Sequence, residues 1–556
     1  MSVQSLSKIK VPLLSKVDRF ESIIRRYLRA ILVVALLILM GNFIPSIRSV
    51  TLSATSNSVG ANGPIDPNAG KPGVAVSGVH CGPGVRQVPW SHYAPICEPA
   101  WHGNNGGSTA PGVTRTTITL TYRAAASSEL QSLYSLVPPS VIGTNSEGEA
   151  TMQAYINTFN KEFELYGRHV VLRPFVGKGD FVSELNGGGQ TNALADALTA
   201  KSLGAFADSS VLDSTPVYED ALAQQKIIGF SIFGGPNSEF KINAPYEYST
   251  SPLCSKTVQE TVQFVGRSLA KSPVSFAGSS AMNGKKRVFG FIGTSAAGYA
   301  SCNAQIVKDL KDQYGVTVNP VINMSLSGSL STQASGAIAQ LKAAGVTTII
   351  CTTCDFFSPI FLTEAADAQN YTPEWIQSNF LDALTKLQSS NQLAHTEGIG
   401  MVSPPVTHTE SYTAFELGKK PREKIIPSSY YVYQPLLMFF DALQAAGPDL
   451  TPTTFREGFS SLPPSIPGGM YGGWSFNAHE FDPASNYGII RWSNSVPSPV
   501  DDVPGTWLAC NSGELYNFNG EPPQLPIGQE PNCPSSQTLT NKSLPPGMPG
   551  STGAHA

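Results

Sequence analysis

Cys351-Thr352-Thr353-Cys354 is the densest pairing of reactive side chains in this 556-residue chain. Two thiols so spaced can exchange disulfides with another protein when one of them is held as a low-pKa thiolate at a helix start. Here the pair ends a strand-like run, Thr347–Thr353, so a static or labile disulfide is the plainer reading and dithiol chemistry the sharper one. A second cluster gathers His80, Cys81, His92, Cys97, Glu98 and His102. These types can hold zinc, but their spacing matches no standard zinc pattern, and a surface loop pinned by Cys81–Cys97 explains them without metal. His395, His408 and His479 are scattered. With no Gly-x-Ser-x-Gly elbow and no His-Glu-x-x-His pair, they have no nucleophile or metal to serve. The residues argue against an enzyme, and no cofactor is expected.

The element that positions the rest is Lys285–Val318. Val288–Ile292 is apolar without alternation, as in a strand buried on both faces. After Gly293-Thr294-Ser295, a helical pattern carries Ile306, Leu310 and Tyr314 at four-residue spacing, stops at Gly315, and gives way to Val316-Thr317-Val318. That is a βαβ unit. Ligands of such sheets sit at the carboxyl ends of the strands, which makes the 294–301 loop the first candidate for ligand contact.

The length implies more than one domain. A formal charge of −4 with 14% charged residues gives no basic face for nucleic acid. Lys8, Lys10, Lys16, Arg19, Arg25, Arg26 and Arg29 precede an uncharged run from Ala30 to Ile47. Roughly 18 apolar residues suffice to span a bilayer, so residues 1–29 are expected in the cytoplasm and 30–47 across the membrane. A signal peptide cleaved near Ser53-Ala54 is the rival, and on either reading the remainder is exported. The even cysteine count agrees with export, and the sequence-local pairs are Cys81–Cys97, Cys254–Cys302, Cys351–Cys354 and Cys510–Cys533.

Residues 48–112, rich in Ser, Gly, Asn and Pro, read as a tether. From Val113 the pattern alternates: strand Thr116–Tyr122, helix Glu147–Tyr166, strand His169–Phe175, helix Gln190–Ser202, strand Gly204–Ala207, helix Pro216–Gln225 and strand Ile227–Phe233. It restarts after Cys254, with helices Lys256–Leu269, Gln333–Ala344 and Pro359–Gln369 around strand Thr347–Thr353, and strands expected at Glu374–Gln377 and Gly398–Val402. Tyr430–Ala446 and Pro452–Phe459 are further helices. The alternation predicts α/β with parallel sheets in two similar lobes and a cleft between them. Trp474–Phe476 and Tyr487–Trp492 read as an antiparallel pair, and residues 516–556 as a disordered tail.

The order of these strings resembles the type I periplasmic ligand-binding proteins, the branched-chain amino acid receptors of ABC transporters. The strings are Tyr166-Gly167-Arg168-His169-Val170, Ser214–Asp220 before Phe230-Ser231, Gly298-Tyr299, Gln340–Gly345 before Val346–Thr353, and Trp474–Asn477 with Phe481-Asp482. The resemblance covers roughly residues 113–495. It implies two Rossmann-like lobes that close on a solute by hinge motion. Lobe one would be 113–253 with about 403–465, and lobe two 254–402 with about 466–515.

By position, the resemblance places Tyr122, Asp208, Ser209, Ser210, Ser231, Phe233 and Gly234 on the lobe-one side of the ligand. Tyr299, Phe356 or Phe357, and Asp382 fall on the lobe-two side. Asp208 stands where a small hydroxyl residue is commoner, and an acid there disfavours a ligand carboxylate. The implied role is capture of a small polar solute (an amino acid, amide or organic acid) for an ABC permease. A membrane-anchored sensor or assembly component on the same fold is the alternative.

Overall fold

The computed structural model describes residues 68–533, apart from 128–138, 211–213, 233, 297, 327–328, 356, 379–381, 403–406, 408, 466–471, 519 and 521. The expected membrane segment at 30–47 therefore lies outside the described residues. Among those described, no helix is long and apolar enough to cross a membrane.

Lobe one is a five-stranded, all-parallel sheet: β3 (Thr117–Ala124), β4 (His169–Val176), β5 (Ala207–Asp208), β6 (Ile228–Ser231) and β7 (Glu247–Ser249), in spatial order β4-β3-β5-β6-β7. Three helices of this stretch begin at a side-chain cap, Thr144, Asp180 and Thr215. Thr144 and Glu147 form a reciprocal capping box that starts α1 (Asn145–Glu162). After α2 (Phe181–Leu185) and α3 (Gln190–Ser202), Thr215 caps α4 (Pro216–Gln224) with Pro216 at the first helical position, and α5 (Asn237–Asn243) precedes β7.

Lobe two repeats the arrangement. β8 (Phe289–Thr294), β9 (Val318–Met324), β10 (Thr348–Thr353), β11 (Glu374–Ser378) and β12 (Thr396–Ile399) are parallel, in order β9-β8-β10-β11-β12. β8, β10, β11 and β12 are buried along their whole length, as inner strands covered on both faces should be. The helices are α6 (Cys254–Gln263, continued by a π-helical stretch Phe264–Leu269), α7 (Tyr299–Tyr314), α8 (Leu330–Ala343) and α9 (Phe357–Ala368). Gly315 ends α7 in the left-handed conformation, φ +68°.

The chain then returns to lobe one with α10 (Glu410–Gly418), α11 (Ser429–Ala445) and α12 (Pro452–Ser461). Bonds from α1 fix this segment: Thr158 Oγ1 donates to Ala414 O (2.7 Å) and Asn157 Nδ2 to Gly418 O (3.0 Å). α11 forms the spine of the core. Phe439 and Phe440 meet Phe159, Phe163, Phe230 and Phe455 at ring-centroid distances of 5.1–6.1 Å, mostly tilted or edge-on. Lobe two is closed by β13 (Asn486–Pro497), antiparallel to β12, with β14 (Pro504–Ala509) and β15 (Leu515–Asn517) pairing with β13. The antiparallel pair expected between Trp474–Phe476 and Tyr487–Trp492 does not form. Trp474 makes one bridge to Ala484, because β13 takes its partners from three strands of lobe two instead.

Two stretches read as unstructured pack against the body. From residue 68, the expected tether carries β1 (Gly73–Val74) and β2 (His80–Cys81) and buries Val88, Tyr93 and Ala94 in the main core. The expected tail buries Tyr516, Phe518 and Leu525, and Glu530 pairs with Arg287 at 2.7 Å. Four disulfides join Cys81–Cys97, Cys254–Cys302, Cys351–Cys354 and Cys510–Cys533, and the described residues contain no free cysteine.

Candidate ligand cleft between the lobes

In both sheets the second strand lies outside the first and the third lies on its other side. A sheet with that order opens a crevice between the loops that leave its first and third strands. In lobe one these loops follow β3 and β5, at Ala125 and Ser209-Ser210; in lobe two they follow β8 and β10, at Ser295–Tyr299 and Cys354-Asp355.

The two edges meet. Ala125, Phe181, Leu185 and Ile232 of lobe one belong to the same buried apolar cluster as Leu326 and Leu330 of lobe two. Asn186, just past α2, donates to Leu326 O across the seam at 2.9 Å. In this conformation the seam is lined and bridged by the protein's own hydrocarbon.

The sequence-predicted lobe-one residues distribute as follows. Tyr122 is buried in β3. Asp208 is fully buried and faces inward. Thr121 Oγ1 (2.6 Å) and Tyr218 Oη (3.2 Å) donate to one of its oxygens, and Ser210 Oγ donates to the other. Burial pushes its carboxyl up to about 6 against those hydrogen bonds. Both Asp208 oxygens are thus taken by hydroxyls of the protein. Ser210 Oγ also accepts from the Arg123 amide at 2.7 Å. Ser209 donates its amide to Thr121 O, while its Oγ is buried with no hydrogen-bond partner. Ser231 is buried at the end of β6, where its carbonyl accepts from the Thr250 amide. Gly234 runs so close to Pro252 O that a Cβ would lie 2.0 Å from it. Phe233 lies outside the described residues.

In lobe two, Tyr299 opens α7 half-buried, and burial pushes its phenol well above its usual range. Phe356 lies outside the described residues, and Phe357 opens α9. Asp382 is buried against the strands that close lobe two. It starts the one-turn helix Asp382–Thr385 and accepts from Ser498 Oγ (2.6 Å) and Thr506 Oγ1 (2.7 Å) of the closing strands. Burial raises it to about 6. The disulfide Cys351–Cys354 sits at the carboxyl end of β10, beside Asp355, which accepts from the Ser358 amide and hydroxyl at 2.8 and 2.7 Å.

Two features of the seam were missed in the sequence. One is Arg123, wholly buried, paired with Glu184 and Asp196 and lying 3.8 Å above the Tyr218 ring centroid. The other is the apolar face of α2; Phe181 and Leu185 at four-residue spacing inside the Gly-rich stretch 177–189 were its signal. Around the histidine cluster, no group of three or more ligating side chains is placed to hold a metal ion among the described residues.

This is the fold of the type I periplasmic binding proteins, as the alignment with a solved ABC transporter substrate-binding protein shows. A fatty acid ABC transporter substrate-binding protein from Thermomonospora curvata aligns over 77% of this chain and 100% of its own, at 14% identity and TM-score 0.50. The leucine-, isoleucine-, valine-, threonine- and alanine-binding protein from Brucella ovis, in its closed conformation, covers 75% of this chain and 97% of its own, at 13% identity and TM-score 0.48. No protein-family model and no curated protein matches the sequence. The resemblance read from the sequence strings holds at the level of fold.

Proposed function

We propose that this chain is an extracytoplasmic solute-binding protein that encloses one small molecule between its lobes and delivers it to an ABC-type permease. The observation that carries the reading is that the five parallel strands of each sheet share one order and their carboxyl edges meet at a seam. Ligands of such sheets bind at those edges, and two lobes joined at one side can open and close there. No chemistry is assigned; affinity would come from enclosure and from satisfying the solute's polar groups. Four disulfides support an oxidising compartment, and the cationic, apolar amino terminus supports export with a retained membrane anchor.

A thermal-shift screen of amino acids, amides and organic acids tests the capture role. A ligand at a hundred times its dissociation constant adds about 2.7 kcal/mol of stability. A broad screen in which no solute shifts the melting point overturns it. One observation favours a second reading, an anchored sensor: residues 68–112 are fastened to lobe one, so a tethered amino terminus would hold that lobe while the other moves. Stimulus-dependent cross-linking to a partner other than a permease would select it.

A further inference from the structure

We infer that the seam takes a neutral solute, an aliphatic or aromatic body with one uncharged hydrogen-bonding head such as an amide, in preference to a zwitterionic amino acid. The inference rests on the solute-capture reading above and narrows its ligand class.

The argument starts from the charges. Among the described residues, the ionised groups buried near the two sheet edges are met by the protein. Glu219, which accepts from Ser214 Oγ on one oxygen and has no hydrogen-bond partner on the other, is pushed well above the usual carboxylate range by burial and so carries a proton. Arg123 is held by Glu184 and Asp196, and Asp208 by Thr121, Ser210 and Tyr218. Asp355 is held by Ser358, and Asp382 by Ser498 and Thr506. Other charges near the rim, on Lys178, Asp180 and Glu239, are exposed, where water already solvates them. A ligand ammonium or carboxylate entering the seam would give up its own water and, among the described residues, find no unpaired buried counter-charge, the costliest transfer a solute can make.

The walls point the same way. The buried apolar cluster that spans the two lobes includes Ala125, Phe181, Leu185 and Ile232 from lobe one and Leu326 and Leu330 from lobe two. A solute that parts them is bounded by hydrocarbon, which favours an apolar body. Among the described residues, Ser209 Oγ, fully buried just past the carboxyl end of β5, is a neutral group at the edge that lacks a hydrogen-bond partner. A hydroxyl can donate to a carbonyl or accept from an amide N–H without carrying charge, so it satisfies a neutral head and cannot neutralise an ionic one.

The test is calorimetric titration of the full chain with three probes that share one branched aliphatic body: 4-methylpentanamide, 4-methylpentanoate and L-leucine. The amide is expected to bind at least tenfold tighter than either ionised probe. Ser209→Ala should weaken the amide roughly 3- to 10-fold, the worth of one hydrogen bond, while Ser209→Thr keeps it. An amide affinity unchanged by Ser209→Ala overturns the role of that hydroxyl. A tightest binder that is ionised, in this series or in the wider screen, overturns the inference and leaves capture standing. A neutral one supports it, and no binder at all overturns both.

Discussion

Arg123 and Glu184 form a two-pronged ion pair inside lobe one, with Nη1 3.2 Å from Oε1, Nη2 3.0 Å from Oε2, and both side chains wholly buried. Asp196 lies 3.2 Å from the same Nη1. The pair joins β3 to α2, so it fixes the helix that presents Phe181 and Leu185 to the seam. Arg123→Leu leaves two carboxylates buried without a cation, at a cost of about 3–5 kcal/mol. Urea unfolding should show that loss, and amide exchange in α2 should accelerate more than in lobe two. Arg123→Lys should recover little of it, because an ammonium cannot match the two-pronged geometry.

Several buried acids are raised, each chiefly by burial: Asp208 and Asp382 to about 6, Glu410 to about 7, Glu247 and Glu397 to about 8. An unfolded carboxyl titrates near 4, so between roughly pH 4 and 8 the folded state binds more protons than the unfolded one. Stability from these groups is complete below about pH 4 and is lost as pH rises through the folded values. The urea midpoint is therefore expected to fall from pH 5 to pH 8. Glu397→Gln should flatten the upper part of that curve, since one Glu397 oxygen has no hydrogen-bond partner. A midpoint that climbs over this range would refute the assignment.

The reach of the sequence reading follows the range of the interactions. β8 was legible because six successive buried residues, Phe289–Thr294, announce themselves locally, and Gly315 marks the end of α7 within the same string. The βαβ reading then led to the 294–301 loop that holds Tyr299, and the family resemblance to Ser209. The inward turn of Asp208 was not legible, because Thr121 lies 87 positions away. Asp382 likewise takes its donors from 116 and 124 positions downstream. The segments taken for tether and tail contain few apolar residues. They are held by scattered anchors such as Val88, Tyr93, Phe518 and Leu525, too sparse to make a period.

Glu410 is the main fastening of the amino-terminal segment. It accepts from Ser91 Oγ (2.8 Å), the His92 amide (2.6 Å) and Tyr433 Oη (3.0 Å). Glu410→Ala strands three donors, each worth about 1–3 kcal/mol when left buried and unmet. Limited proteolysis of that variant should cut first within residues 82–96, while wild type resists there. Ser91→Ala removes one donor to Glu410 and also the acceptor of the Tyr93 and Ala94 amides, which donate to Ser91 Oγ at 3.2 Å each, so it should likewise cost about 1–3 kcal/mol.

Gly298, in the lobe-two loop before α7, adopts φ +80°, and a Cβ on it would lie 2.7 Å from Pro236 Cδ of lobe one. Gly298→Ala therefore has two separable effects. The positive φ strains an L-residue whether the lobes are together or apart, which lowers overall stability by about 1–2 kcal/mol. The clash exists only while Pro236 is near, so it penalises the closed arrangement by about 1–2 kcal/mol more, roughly a 5- to 30-fold loss of affinity for whichever solute the screen ranks first. Small-angle scattering of the solute-saturated variant should give a larger radius of gyration than wild type. Adding Pro236→Ala removes the obstructing Cδ and should restore affinity without restoring stability. If Gly298→Ala binds and compacts like wild type, lobe closure does not bring these two residues together, and the solute is enclosed by some other movement.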